Sequence, residues 1–352
     1  MALFVFGAGA TRGCSFVDPK ENPCLPFLDR DFFTQLQRVG SKKHQKLIKS
    51  VMQDVVQLFG YNFDVTMETV FSTLEQMIAM LRVKNKVTRD FKILDLEKMQ
   101  KRLRQAIVVV LEESLAYYEG KVHQKAKTCE THKKFVEEVL KKKDDIISFN
   151  YDCILDHSLK DFGRGKWSAQ YGYGFKLNTR SSNLKNFFGW QETPPAPKAK
   201  TVHFFKLHGS LHFYIKDKDL EKDKPEITLK ARPYTKQRGN VRFTIIPPEW
   251  HKGYDKGFFA HLWRKAGDAI ATAKDIILIG YSFPMTDLHS TSLFRTSLKK
   301  TALKSLVIVN PDREARKRSR AILQRGLAKD TKVISVDTFN EFVSIKRSVW
   351  DR

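Results

Sequence analysis

The chain has 352 residues and a formal net charge of +24, from 63 lysines and arginines against 39 aspartates and glutamates. Its 41% hydrophobic content is lower than usual, but apolar periodicity persists nearly throughout the chain and argues against wholesale disorder. No run approaches the roughly 20 consecutive apolar residues of a membrane-spanning helix, so we expect a soluble globular protein.

The first predicted element is a buried strand over residues 3–6, which is continuously apolar and ends at a Gly-Ala-Gly turn. Met1 to Phe6 carries no basic leader or cleavage site, so we interpret the N-terminus as this strand. Apolar residues at helical spacing follow, with few prolines between them. They predict helices over 31–39, 45–59, 68–81, 94–118 and 132–140.

From residue 144 onward, strand and helix signals alternate, as is typical of parallel strands joined by helical crossovers. Residues 163–200 are rich in Gly, Asn, Ser and Pro and predict a long loop, while short strands at 211–215 and 242–246 flank the charged segment 216–240. The crossover strands are predicted over 146–149, 202–207, 276–279, 306–309 and 332–336. The helices are predicted over 151–161, from 256, over 286–297, over 313–327 and at the C-terminus.

This order predicts an α/β fold with a Rossmann-like, largely parallel sheet and a helical insertion between the first and second strands. We assign residues 1–29 and 144–352 to the nucleotide-binding domain. Residues 30–143 form the inserted helical subdomain.

Cysteine usage and basic clusters bear on the compartment and the partners. None of Cys14, Cys24, Cys129 and Cys153 forms a C-x-x-C pair, which gives no disulfide framework, argues against a zinc ribbon and fits a reducing cytoplasm.

Basic residues cluster over 121–134, 141–143, 216–242 and 313–325. They indicate either contact with nucleic acid or an acidic protein, or a merely solvated basic surface.

Five predicted strands end in small or polar residues, at the edge where open α/β sheets bind nucleotides. Glycines at such an edge allow backbone amides to approach a pyrophosphate, and an imidazole there can accept a proton from water or a hydroxyl. The segments are Gly7-Ala8-Gly9-Ala10-Thr11, Asn150-Tyr151-Asp152, His208-Gly209-Ser210, Gly280-Tyr281-Ser282 and Asn310-Pro311-Asp312.

Each segment also has a purely structural interpretation. The glycine turn lacks the third glycine of G-x-G-x-x-G, because Arg12 stands there, so it could be a tight turn without a ligand. Asn150 and Asp152 could only cap the following helix. His208 could be satisfied at a strand end. Its spacing to His212 fits a helix face better than a turn entering a strand, so we expect no metal.

Taken together, the segments Gly-Ala-Gly-Ala-Thr, Phe-Asn-Tyr-Asp, Leu-His-Gly-Ser, Gly-Tyr-Ser-Phe and Val-Asn-Pro resemble the sirtuin-like NAD-binding fold. They resemble more closely the bacterial branch found in antiphage defence, whose members hydrolyse NAD. The resemblance spans residues 1 to about 25 and 144 to about 340. It implies an NAD hydrolase that releases nicotinamide and ADP-ribose.

The resemblance also implies residue roles. His208 would be the general base, Asn150 would position water or the nicotinamide ribose, and Asp152 would lie near the carboxamide. Asp29 would stand where deacylases place an acidic residue, although their Pro-Asp-Phe-Arg motif is absent here. NAD would contact Gly7, Ala8, Gly9, Thr11, Gly280, Ser282 and Asn310.

Protein-deacylating sirtuins carry a four-cysteine zinc module after the catalytic histidine, whereas residues 211–280 contain no cysteine. A zinc-free deacylase therefore remains an alternative, as does a non-catalytic NAD or ADP-ribose-binding module in a nucleic-acid complex. A metal-dependent nuclease fails on the spacing of its acidic residues. The resemblance further implies a homo-oligomer or a separately encoded partner, such as a HerA-type ATPase or a nucleic-acid-guided protein.

Overall fold

A computed structural model describes residues 1–84, 91–119, 123–175, 177, 201–215, 227–229, 242–245 and 257–351. Its strands are β1 (Ala2–Phe6), β2 (Ala116–Glu119), β3 (His123–Ala126), β4 (Asp145–Ser148), β5 (His203–Lys206), β6 (Gly209–Ile215), β7 (Thr228–Leu229), β8 (Arg242–Ile245), β9 (Asp275–Ile279), β10 (Leu303–Val309) and β11 (Leu327–Val336). Its helices are α1 (Ala8–Arg12), α2 (Phe32–Gln37), α3 (Gln45–Phe59), α4 (Met67–Lys84), α5 (Ile93–Leu115), α6 (Glu130–Lys134), α7 (Ile154–Phe162), α8 (Ala169–Gly172), α9 (Gly257–Thr272), α10 (Leu288–Ser297), α11 (Arg313–Ile322) and α12 (Phe339–Ser344).

Six strands form one sheet in the order β11-β10-β9-β1-β4-β5. Every neighbouring pair in it is parallel. Counted along the chain, these strands have the order 3-2-1-4-5-6, which is that of dinucleotide-binding sheets. The predicted Rossmann-like α/β fold is confirmed. The strand order reverses between β1 and β9, and such a switch point opens a crevice at the carboxyl edge.

The central strands are largely apolar, apart from Asp275 at the start of β9 and from Asp145 and Ser148 at the two ends of β4, because helices cover both faces of the sheet. Every residue of β1 and of β9 is buried. Val5 pairs with Ile147 on one side and with Leu278 on the other. The apolar sequences of β1 and β9 made both strands predictable. Because the two strands pair in parallel, the segments that follow them lie side by side.

The helical insertion predicted between the first and second strands is confirmed. Helices α2 to α5 surround their own apolar cluster, separate from the cluster that covers the sheet. In α3 the buried residues Leu47, Ile48, Val51 and Val55 recur at helical spacing. Residues 130–139 instead pack on the sheet, where Phe135 contacts Phe4 and Phe6. The domain boundaries stay predictions.

Two predicted helices end earlier than the sequence indicated. The helix predicted to residue 118 ends at Leu115, because residues 116–119 pair with 123–126 as an antiparallel hairpin. The helix predicted to residue 327 ends at Ile322, because Leu327 starts β11 and pairs with Leu303 of β10. In both places, pairing with another strand outweighs local helical spacing.

The remaining expectations concern the small sheet and the long loops. Strands β6 and β8 flank the charged segment in the sequence, β7 lies within that segment, and the three form a sheet in the order β7-β6-β8. Most of the predicted loop 163–200 and of the segment 216–240 lies outside the described residues. Within the described ranges, no helix has the length and apolarity needed to span a bilayer.

Candidate active site

A cavity of about 790 Å³ opens at the carboxyl edge of the sheet, over the switch point. Loops after β1, β4, β9, β10 and β11 line it, together with residues of the insertion. The predicted site residues that line it are Ala8, Gly9, Thr11, Asn150, Asp152, His208, Gly280, Ser282 and Asn310. Gly7 lies behind them, where its carbonyl accepts a hydrogen bond from Asn150 Nδ2. The roles of these residues stay predictions.

The glycines after β1 and β9 allow two backbone segments to pack against each other. A Cβ on Gly9 would lie 2.8 Å from the Cα of Gly280, and one on Gly7 would lie 2.6 Å from the Cα of Tyr281. The amide of Gly9 donates to the carbonyl of Gly280 at 3.0 Å. This amide, which the sequence assigned to a pyrophosphate, therefore has a partner within the protein.

Replacing Gly280 with alanine is expected to lower stability by about 3 kcal/mol or more, because a left-handed residue and a backbone clash each cost about 1–3 kcal/mol. Gly280 has φ of 62°, and its Cβ would lie 2.7 Å from Gly9 Cα. Gly165→Ala is the matched control, since Gly165 has φ of 73° with open space around it. Chemical denaturation measures both variants. Equal losses would contradict the interlocking of the two loops.

Asn150 is held by two hydrogen bonds that fix its amide orientation. Its Nδ2 donates to the carbonyl of Gly7 and to Thr11 Oγ1, each at 3.0 Å. The Gly7 carbonyl can only accept, so the atom facing it must be the nitrogen. The Oδ1 atom is buried and has no hydrogen-bond partner among the described residues. Asn150 lines the cavity, and its buried Oδ1 is an acceptor that the described residues leave unused.

The Thr11 hydroxyl connects Asn150 to Asp152 by hydrogen bonds. The Thr11 hydroxyl donates to Asp152 Oδ2 at 2.7 Å, while Asp152 Oδ1 accepts from the amide of Ile154 at 2.9 Å. Both carboxylate oxygens therefore have partners within the protein, and Asp152 stands one residue before Cys153, which is the N-cap of α7. In this geometry Asp152 orients Thr11 and, through it, Asn150.

His208 lies against the cavity with a carboxylate that the sequence interpretation missed. Its Nε2 is 3.2 Å from Asp287 Oδ2, and both side chains are buried. Its ring meets Phe149 edge-on, with ring centroids 4.9 Å apart. A carboxylate at one imidazole nitrogen favours the tautomer that carries the proton on that nitrogen.

Asp287 is itself held by a hydrogen-bonded cluster. The Tyr281 hydroxyl donates to Asp287 Oδ2 at 3.0 Å, and the amide of Ser290 donates to Asp287 Oδ1 at 3.3 Å. Burial raises the pKa of Tyr281 well above its usual value, so the phenol stays a neutral donor. The Tyr281 ring also stacks on Phe149 at 4.2 Å, which gives the cavity an aromatic wall.

A buried ion pair fastens β5 to the helix that follows Asp152. Lys206 Nζ lies 2.7 Å from Asp156 Oδ2, and both side chains are 1% exposed. Burial would lower the pKa of Lys206, but the Asp156 carboxylate raises it. Burial and then Lys206 lower the pKa of His212, whose ring nitrogens lie 2.9 Å from Ser210 Oγ and 3.0 Å from Tyr173 Oη. The residues next to Asn150 and His208 are thereby held rigidly.

The far end of the cavity lies over β9 and β10. Arg318 lines it and donates from Nε to the carbonyl of Ser282 at 2.8 Å. Asn310 Oδ1 accepts from the amide of Asp312 at 3.0 Å, and Asp312 in turn caps α11. A cationic side chain beside small polar groups suits an anionic ligand such as a phosphate.

The insertion closes the opposite wall of the cavity. Met67, Glu68 and Leu111 of the insertion line it there, together with Asp29, which directly precedes the insertion. The Asp29 Oδ1 accepts from the amide of Glu68 at 2.9 Å, and burial raises the pKa of Asp29. The sequence pointed to Asp29 only through a resemblance. No local signal in the sequence marked Met67 and Leu111 as cavity residues, because their apolar character indicates only that they belong to the core.

Comparisons with known proteins add little to this geometry. No protein-family model and no curated protein matches the sequence. One matching solved structure belongs to work on the structural basis for the mechanism and regulation of Sir2 enzymes. It aligns with 12% identity and a TM-score of 0.34, covering 70% of this chain and 78% of that chain. The fold class rests on the strand order itself.

Proposed function

We propose that this protein is an NAD glycohydrolase, which cleaves the bond between nicotinamide and ribose and releases nicotinamide and ADP-ribose. The observation that carries the proposal is the convergence of Asn150, with its unused buried acceptor, and the His208–Asp287 pair on one cavity at the switch point. The strand-end motifs that resemble NAD-hydrolysing sirtuin-like proteins support the choice of NAD.

The reaction needs an oriented water and an acceptor for one proton. The nicotinamide–ribose bond breaks with its electron pair moving to the ring nitrogen, and a water oxygen bonds to the sugar carbon. Asn150 Oδ1 accepts a hydrogen bond from that water, and His208, oriented by Asp287, takes its proton. The aromatic wall of Phe149 and Tyr281 limits access of bulk water to the developing cation.

The direct test is chromatography of purified protein incubated with NAD, alone and with DNA or candidate partner proteins. We expect equal amounts of nicotinamide and ADP-ribose, and loss of both products in His208→Ala. Calorimetry with NAD accompanies the assay. Saturable binding without release under every condition would favour the NAD-binding module instead. Release that depends on an acyl-lysine peptide would favour the deacylase.

We further propose that the protein acts as an NAD-depleting effector in antiphage defence, controlled by self-assembly or by a separately encoded partner. The motif resemblance and the net charge of +24 support this. In the described residues, α11 presents exposed Arg313, Lys317 and Arg320. Such a basic helix suits a nucleic acid, a nucleic-acid-guided protein or the acidic face of a HerA-type ATPase.

A further inference from the structure

Three buried side chains with metal-ligating atoms meet beside the cavity, at the base of the helical insertion. They are Cys14, Cys129 and His132, which are exposed by 3%, 0% and 1%. Their ligand atoms all lie within 4.8 Å of one another. His132 Nδ1 is 3.1 Å from Cys129 Sγ and 3.8 Å from Cys14 Sγ. A single imidazole nitrogen thus faces both sulfur atoms.

The two sulfur–nitrogen separations lie close to the corresponding edge of a zinc coordination tetrahedron. With Zn–S near 2.3 Å and Zn–N near 2.0–2.1 Å, tetrahedral ligands stand about 3.8 Å apart for two sulfurs and about 3.5 Å for sulfur and nitrogen. The two sulfur–nitrogen distances bracket that value, so an ion fits between the three atoms with little movement.

We propose that Cys14, Cys129 and His132 bind a zinc ion that joins the two ends of the insertion. Zinc suits this ligand set because thiolate and imidazole are its preferred ligands in proteins. Three protein ligands leave a fourth position for water or for the Ser15 hydroxyl, whose Oγ is 3.7 Å from Cys129 Sγ.

A second group of possible metal-ligating side chains is less suited to holding a metal ion. Cys153, Asp156 and His212 also lie within 4.8 Å of one another. There, however, the Lys206 ammonium lies 2.7 Å from Asp156 and supplies the positive charge. A metal ion would have to displace or repel that ammonium, so we assign the metal to the first group alone.

The location of the proposed zinc site indicates a structural role for the ion. Cys14 follows Gly13, which lines the cavity, and His132 packs against Phe339, another cavity residue, with ring centroids 5.0 Å apart. The chain between Cys14 and Cys129 contains all of α2 to α5. An ion that closes so long a loop stabilises the fold and holds the glycine turn in place.

The test measures metal directly, so it is independent of NAD hydrolysis. Mass spectrometry of protein purified without chelator is expected to give about one zinc per chain, lost in Cys14→Ser, Cys129→Ser and His132→Gln. Cys24→Ser is the matched control, because Cys24 is equally buried but donates to the Gln35 carbonyl outside the group. It should keep its zinc.

Cobalt substitution of the unmodified protein covers the case in which the variants do not fold. Bound Co²⁺ should give a thiolate-to-metal charge-transfer band, and zinc removal should lower the melting temperature by several degrees. Substoichiometric zinc together with no such band would overturn the proposal. A Cys14–Cys129 disulfide found by mass spectrometry under denaturing conditions would overturn it as well.

Discussion

Asn150→Ala is expected to slow nicotinamide release by about 100-fold to 1000-fold, while NAD still binds. Losses of that size follow removal of one preorganised hydrogen-bonding group from an active site. Asn150 is preorganised, since its Nδ2 bonds to Gly7 and Thr11 leave Oδ1 as the unused acceptor. Rates at saturating NAD, measured with binding by calorimetry, separate lost chemistry from lost affinity.

The matched control for Asn150 lies two residues earlier, at the end of the same strand. Ser148 Oγ accepts from the backbone amide of Asn150 at 3.1 Å, so Ser148→Ala loosens this strand end without removing a cavity side chain. We expect a rate within a few-fold of the unmodified protein. If Ser148→Ala slowed the reaction as much as Asn150→Ala, local structure and not the Asn150 acceptor would carry the effect.

The fold was largely predictable because burial left plain signals in the sequence. Strands covered on both faces, such as β1 and β9, are largely apolar runs, and helices such as α3 show an apolar face at helical spacing. The pairing of residues 116–119 with 123–126 was missed because Tyr117 and Tyr118 continue the helical spacing, while their strand character depends on partners further along the chain.

The site was predictable only where a residue directly follows a strand. Asn150 and His208 stand at strand ends, and parallel strands bring those ends to one edge. Asp287 begins a helix, so its sequence context indicates only a cap, and its contact with His208 depends on the fold. For the metal group, the C-x-x-H spacing of Cys129 and His132 was a local signal, but Cys14 joins them only across the whole insertion.

Asp287→Asn is expected to lower kcat by about 100-fold or more with little change in KM. The carboxylate accepts a hydrogen bond from the Nε2–H group of His208, whereas an amide that turns its nitrogen to the ring would favour the tautomer protonated at Nδ1. His208 would then lack an acceptor for the proton of water. In hydrolases with a comparable histidine–aspartate pair, this change lowers kcat by up to about 10⁴.

Asp312→Asn distinguishes this effect from a general loss of charge or of capping. Asp312 and Asp287 both cap a helix beside the cavity, and asparagine caps about as well as aspartate. Only Asp287 lies against the histidine. We therefore expect Asp312→Asn to keep kcat within a few-fold, and melting temperatures to stay similar in both variants. Equal losses of kcat would mean that the cavity's negative charge, and not the orientation of His208, sets the rate.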